Sequence, residues 1–352
     1  MPDLDKLIAA FKDPKVVEVM VNPDGTAWIE TIEGGVTALA AAPTQAEVAE
    51  FIAGVTGSPE VFGPERPFAD LSAADGSRVH VVAPPLARGL TVTIRKRPAR
   101  RPSLDELVDA GTLSAACAGF LRFAVEQKLN LLVAGGASSG KTTLMAALAA
   151  LAGERERIVV LEDTPELALP QKHALYLRTR LRDAAGRPDV TLRDLLVNTL
   201  RMRPDRVIVG ETRGPEASDM LQAMNVGMEG MLTTLHANSC REALQRLETL
   251  VLQAGMDMPL KAVRSSIATA VDFVVFLARL SDGSRRVVQV AEVTGIELDT
   301  ITLSDLFQLD LRKGPAGLSA SLRPTGAIPR FYERLRRQGV EPPLEFFRPE
   351  GR

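Results

Sequence analysis

The run Leu131-Leu132-Val133-Ala134-Gly135-Gly136-Ala137-Ser138-Ser139-Gly140-Lys141-Thr142-Thr143 constrains this chain more than any other stretch. Gly135, Gly140, Lys141 and Thr142 stand at the spacing G-x-x-x-x-G-K-T, after an apolar strand-like run and before the helix-forming Leu144-Met145-Ala146-Ala147-Leu148-Ala149-Ala150. In that setting glycines let backbone N–H groups converge on an anion, the helix N-terminus adds positive potential, and the lysine reaches the outer phosphates. Gly135, Gly136, Ala137, Ser138, Ser139, Gly140, Lys141, Thr142 and Thr143 therefore read as a nucleoside-triphosphate loop, with the Thr142 hydroxyl as a ligand for Mg²⁺.

At 352 residues the chain is too long for one compact core and suits two domains or more. A net charge of −2 gives no global attraction to nucleic acid or anionic lipid, so any basic surface must be local. Aromatics at 4% leave few platforms for stacking single-stranded bases. Cys117 and Cys240 read as reduced, packed thiols, and His80, His173 and His236 show no metal-ligand spacing. The charged start from Met1 to Pro14 has no signal-type apolar core, and no apolar run approaches the ~20 residues of a spanning helix. The expectation is a cytoplasmic protein whose membrane contact is peripheral or through a partner.

The order of elements predicts an α/β protein in two parts. Residues 1–97 read as a small mixed α+β domain. It holds the strand Val16–Val21, a turn at Asn22-Pro23-Asp24-Gly25, a helix capped by Thr44 with Glu47, and a turn at Asp75-Gly76-Ser77. Leu90–Arg95 closes it as an exposed-edge or half-buried strand. Residues 98–102, rich in proline and arginine, form the expected linker. Ser103 with Glu106 opens the second domain, 103–352, in which helices alternate with strands at 157–161, 206–209 and 231–235. Such alternation places ligands at the carboxyl ends of the strands of an open sheet. The tail from about 300 reads as a small appendix.

Three further polar sites end apolar strands: Glu162-Asp163-Thr164, Gly210-Glu211 and His236-Ala237-Asn238. Glu211 is the leading catalytic candidate, able to hold the Mg²⁺ shell or to accept a proton from attacking water. Glu162 has a similar, weaker claim as a positioner of water. His236 suits sensing the γ-phosphate or donating a hydrogen bond as charge develops. A solvated strand-end acid and a loop-capping histidine are the plain alternatives. Arginines are the remaining signal: Arg95 and Arg97 at the end of the first domain, and Arg178, Arg180, Arg182, Arg201, Arg203 and Arg213 across the second. Swinging a domain from 1:99 to 99:1 takes about 5.5 kcal/mol of differential binding. A charge-assisted hydrogen bond contributes about 1.5–3 kcal/mol. Lys141 alone is therefore not enough.

The phosphate loop, Glu162-Asp163-Thr164-Pro165-Glu166-Leu167, Arg201-Met202-Arg203-Pro204-Asp205-Arg206-Val207-Ile208-Val209-Gly210-Glu211 and Leu232-Thr233-Thr234-Leu235-His236-Ala237-Asn238-Ser239 resemble four boxes of a known family. These are the Walker A, Asp, Walker B and His boxes of the type II/type IV secretion traffic ATPases. The likeness is strongest to the CpaF branch, which assembles tight-adherence (Tad/Flp-type) pili, and extends from Val16–Asn22 through Ser77–His80 and Thr93–Lys96 to Asp305–Phe307 and Arg323–Gly326. The resemblance implies a RecA-like P-loop ATPase domain behind a smaller N-terminal domain, a homohexameric ring, and ATP with Mg²⁺ held between the domains. It implies an inner-membrane platform protein as partner, while the near-neutral charge and sparse aromatics lead to the expectation of no direct nucleic-acid contact. By position Glu162 is the Asp-box acid, Glu211 the Walker B acid and His236 the His-box histidine. Arg95 matches an arginine that approaches the γ-phosphate; Arg97, Arg203 and Arg213 are further phosphate or interface candidates. A conjugative DNA-transfer ATPase and a non-hydrolysing scaffold are the alternative functions. Two departures stand out. Gly227-Met228-Glu229-Gly230 lacks a histidine the family often has, and the likeness begins at Val16, where that branch commonly carries a long N-terminal extension.

Overall fold

The computed structural model describes residues 3–31, 35–57, 62–97, 101–180, 188–255, 257–314 and 317–348. The chain divides into two compact units, Met1–Arg100 and Arg101–Arg352. Residues 98–100 of the expected linker, and Arg182, lie outside the described residues.

The first unit runs α1 (Asp3–Lys12), β1 (Val16–Val21), β2 (Ala27–Thr31), β3 (Val36–Leu39), α2 (Gln45–Thr56), β4 (Phe68–Ser72), β5 (Arg78–Val82) and β6 (Thr91–Arg95). Its six strands form one antiparallel sheet in the order β3-β2-β1-β6-β5-β4. One face is buried: Val19, Val79, Val81, Val92 and Ile94 pack with Leu7 of α1 and Val48, Phe51 and Ile52 of α2. Thr44 and Glu47 make a reciprocal capping box on α2, and Gly76, at φ +83°, turns the β4–β5 hairpin. The edge alternative for β6 is corrected here, since β6 lies between β1 and β5. Period-two alternation marks one buried face; it does not say whether the backbone edges are paired. Helix α1 adds to the expected elements: Leu4, Leu7, Ile8 and Phe11 stand at helical spacing in the charged start and pack on this core.

The second unit runs α3 (Leu104–Asp109), α4 (Ala115–Glu126), β7 (Leu131–Gly135), α5 (Lys141–Ala149), β8 (Ile158–Glu162), β9 (Ala174–Arg178), α6 (Leu192–Thr199), β10 (Arg206–Val209) and α7 (Glu216–Asn225). It continues with β11 (Leu232–His236), α8 (Cys240–Gln253), α9 (Leu260–Ala270), β12 (Phe273–Arg279), β13 (Arg285–Glu297), β14 (Thr300–Gly314), β15 (Gly317–Pro324) and α10 (Phe331–Arg337). A nine-stranded sheet results, ordered β15-β14-β13-β12-β7-β11-β10-β8-β9. From β12 to β9 neighbouring strands are parallel; β13, β14 and β15 add an antiparallel meander.

The central strands are buried on both faces, as parallel strands under helices must be. Leu131 and Val133 of β7, with Ile158 and Val160 of β8, face one core with α4 and α5. Leu132, Ala134, Val159 and Leu161 face the other, with α7 and α8. The sparse aromatics gather in the first core. Phe120 stacks on Phe273, Phe307 and Phe347 with centroids 5.2–5.8 Å apart, and Phe331 and Tyr332 join them. The stretch expected as an appendix thus extends the sheet with β14 and β15, and its last segments close the core. Cys117 and Cys240 are free and buried, and burial pushes both thiols well above their usual range. Among the described residues no helix is long and apolar enough to cross a membrane.

Candidate functional site

Parallel order brings the carboxyl ends of β12, β7, β11, β10 and β8 to one edge of the sheet, side by side. The phosphate loop leaves β7 at its centre. Gly135 has no room for a side chain: a Cβ there would lie 2.5 Å from the Leu277 carbonyl and from Ser139 Oγ. Ser138 (φ +56°) and Gly140 (φ +99°) take left-handed conformations that curl the loop into α5. Ser139 Oγ donates to the Gly136 carbonyl at 2.9 Å, and buried Lys141 donates Nζ to the same oxygen at 2.7 Å. No side chain caps α5, so the N–H groups of its first turn face the loop without that competitor.

His236 ends β11 in register with Gly135, and Glu211 follows β10 on the next strand over. Their side chains meet, His236 Nε2 lying 2.9 Å from Glu211 Oε1, with both half-exposed. The turn that carries Glu211 is built with care. Thr234 Oγ1 donates to the Gly210 carbonyl at 2.7 Å, Thr212 N donates to the Thr234 carbonyl at 2.9 Å, and Thr212 and Thr233 share a hydroxyl bond at 2.7 Å. Buried Glu216 then accepts the N–H groups of Arg213 and Gly214 at 2.7 and 2.8 Å.

Glu162, at the end of β8, does not join that pair. It is buried, packs toward Gly210, and its Oε1 accepts the N–H groups of Glu166 and Leu167, both at 2.9 Å. Its visible work is to hold the loop after β8. Asp163 is the acid that reaches outward: Arg213 Nη2 lies 2.5 Å from its Oδ2, and Thr179 Oγ1 donates to Oδ1 at 3.0 Å. Arg203, at φ +53°, sits in the loop before β10, at the opposite edge of the sheet from the phosphate loop. Arg95 ends β6 in the first unit, exposed and in register with Glu18 and Arg78. Arg97 donates its backbone N–H to Ser77 Oγ at 3.0 Å and lays its side chain over Gly76. Arg178 ends β9 exposed, Arg180 donates to the Pro188 carbonyl at 3.1 Å, and Arg201 is exposed.

Two arginines at the site carry no local sequence signal as such. Arg101, noted only as a linker cation, reaches Thr143 Oγ1 at 3.4 Å and the Glu166 carbonyl at 3.3 Å. Arg285, which opens β13, donates Nε to the Ser138 carbonyl at 3.0 Å across 147 residues of sequence. Only the pairing of β12 with β7 brings that hairpin to the phosphate loop. Among the described residues there is no cluster of three or more histidine, cysteine, aspartate or glutamate side chains able to hold a metal.

Comparison with known proteins gives the family and the fold. The family described as "Type II/IV secretion system protein" matches residues 70–303. The conjugal transfer protein TrbB of Rhizobium radiobacter is 37% identical over 301 residues, spanning 83% of this chain and 88% of that one. The type IV secretion system protein VirB11 of Bartonella quintana is 29% identical over 327 residues, 82% of this chain and 91% of that one. The fold, α/β as expected, is shared with the pilus retraction motor PilT bound to ADP (TM-score 0.58, 17% identity, 97% and 88% of the two chains). It is shared also with the ATPase DotB of Yersinia pseudotuberculosis (TM-score 0.59, 17% identity, 83% and 79%). A phosphate loop, a Glu211–His236 pair on the adjoining strand ends and a family match over residues 70–303 lead to one conclusion: the chain belongs to the type II/IV secretion system protein family.

Proposed function

We propose that this protein is an ATP-hydrolysing motor, active as a homohexameric ring, that powers a type II/IV secretion or pilus machine through an inner-membrane platform protein. The observation that carries the reading is the row of strand ends that sets buried Lys141 beside the Glu211–His236 pair.

The loop fits a triphosphate with Mg²⁺. A Cβ at Gly136 would meet nothing within 4 Å, the first turn of α5 has no side-chain cap, and Lys141 Nζ rests on a loop carbonyl that a phosphate oxygen can outcompete. Gly135 to Thr143 would hold the phosphates, and Thr142 with Glu211 the metal. The bound nucleotide supplies the phosphoanhydride to be cleaved. The chain supplies position and proton transfer. Glu211 turns one carboxylate oxygen to His236 and has a second with which to accept the proton of attacking water. His236 keeps that carboxylate oriented, and the threonine bonds behind Gly210 hold the turn in place. Glu162 acts one step back, fixing the 162–167 loop against which Arg101 packs. Arg95, from the first unit, is the proposed cation that engages the γ-phosphate.

For the machine served, the motif resemblance to the tight-adherence branch read from the sequence supports pilus assembly. A second reading, conjugal transfer, is favoured by the identity to TrbB. Phosphate release by purified protein, lost in Lys141→Ala, tests the enzyme. Native mass spectrometry with a non-hydrolysable ATP analogue tests the hexamer: only monomer at saturation would sink it. Deleting the gene separates the two readings, since loss of surface pili with intact plasmid transfer supports the first and the reverse supports the second. Salt-sensitive stimulation of hydrolysis by single-stranded DNA would also favour the second.

A further inference from the structure

We infer that Arg285 is a positioning residue of the phosphate loop, one that raises nucleotide affinity from outside the loop without touching the nucleotide. The inference rests on reading that loop as the nucleotide site. A trans peptide is planar, with its carbonyl and the following N–H pointing to opposite sides. By holding the Ser138 carbonyl toward the β12–β13 hairpin at 3.0 Å, Arg285 turns the Ser139 N–H away from it, as one of the donors a phosphate loop presents. Ser138 is the one loop residue with a side chain in the left-handed region, at φ +56°. Such a conformation persists where its surroundings over-determine it. The surroundings here are Arg285 on one side and the Ser139 Oγ bond to Gly136 on the other.

Arg285 is exposed, but the backbone that carries it is tied on both sides. The hairpin tip is closed by Gly283 at φ +83° and by Asp282 Oδ1, which accepts Ser284 N at 2.9 Å and Ser284 Oγ at 2.7 Å. The two residues after Arg285 are tied to the α3–α4 turn: Arg286 donates to the Gly111 carbonyl, and Val287 N to the Thr112 carbonyl at 2.8 Å. The aliphatic stem of Arg285 lies over Gly140, where a Cβ would sit 3.5 Å from Cδ. The guanidinium therefore approaches Ser138 from a hairpin anchored to the α3–α4 turn, with its stem resting on Gly140.

The test titrates full-length protein with a fluorescent ADP analogue and measures kcat at saturating ATP. Arg285→Ala should bind ADP about fivefold to tenfold more weakly, the scale of one solvent-shared charged hydrogen bond. Its kcat at saturation should stay within about twofold, because ground and transition states share the loop equally. Arg285→Lys, which keeps a cationic donor, should recover part of the loss. ADP binding by Arg285→Ala at full strength, while Lys141→Ala has lost it, overturns the inference and leaves the nucleotide site standing. Undiminished binding by Lys141→Ala overturns both. A lower melting temperature without nucleotide, an unchanged ADP affinity and no rescue by lysine would show a residue of the fold alone, and would also overturn it.

Discussion

At the amino edge of the nine-stranded sheet Arg206 is fully buried, and its guanidinium is answered on every side. Nε and Nη2 reach Glu156 at 3.0 and 3.4 Å, Nη1 the Gly230 carbonyl at 3.0 Å and Nη2 the Val125 carbonyl at 3.1 Å. Buried Asn130 does the same nearby, accepting from Met231 N and donating to the Ala270 carbonyl. At the carboxyl edge Glu211 and His236 meet half-exposed, α5 starts without a side-chain cap, and Lys141 leans on a loop carbonyl. One edge spends its polar groups on holding strands in register; the other keeps them where a ligand can take them over. A buried ion pair must be saturated with partners or it destabilises, whereas a site must exchange its partners. The contrast separates fold-bearing charge from chemistry-bearing charge among residues that look alike in sequence.

The largest expected effect breaks the carboxyl edge alone. If Glu211 is the base proposed above, Glu211→Gln keeps its shape and removes that function, so kcat should fall about 10²–10⁴-fold while ATP still binds and the melting temperature holds. Near-normal turnover by this variant would remove Glu211 from catalysis. Breaking the amino edge should do the reverse. Arg206→Ala strands Glu156 and two carbonyls, at a cost of about 3–5 kcal/mol of unfolding free energy, read by urea titration. A loss under about 1 kcal/mol would show that the edge tolerates an unanswered charge.

Arg95→Ala carries the comparison into the first unit. If Arg95 engages the γ-phosphate, kcat should drop about tenfold or more with ADP affinity little changed. Equal loss of ATP and ADP binding at constant kcat would refute that role. The smallest effect is one of pH. Burial pulls the Glu156 carboxyl up, but hydrogen bonds from Arg206 and the Gly153 N–H outweigh it and hold its pKa below 4.5. A depressed acid stabilises above its unfolded value and loses that contribution as pH falls through the folded value. The stability gap between unaltered protein and Glu156→Gln should therefore be constant near neutrality and shrink below about pH 4.5. A gap that widened there would reverse the assigned direction.

Local chemistry alone determined the phosphate loop, the capping boxes at Thr44 and Ser103, the buried central strands and the strand-end placement of Glu211 and His236. Each depends on residues within a few positions of one another, so spacing and periodicity carry it. The boxes also placed Glu162 and Arg203 among the site candidates. Their surroundings come from the tertiary structure, which turns Glu162 inward onto Glu166 and Leu167 and sets Arg203 at the amino end of β10. Strand order is a global property. That β6 is central, that β14 and β15 extend the sheet, and that Arg285 meets Ser138 across 147 residues all follow from which strands pair. Pairing is chosen by the burial of two whole faces at once, and no single stretch of sequence encodes that choice.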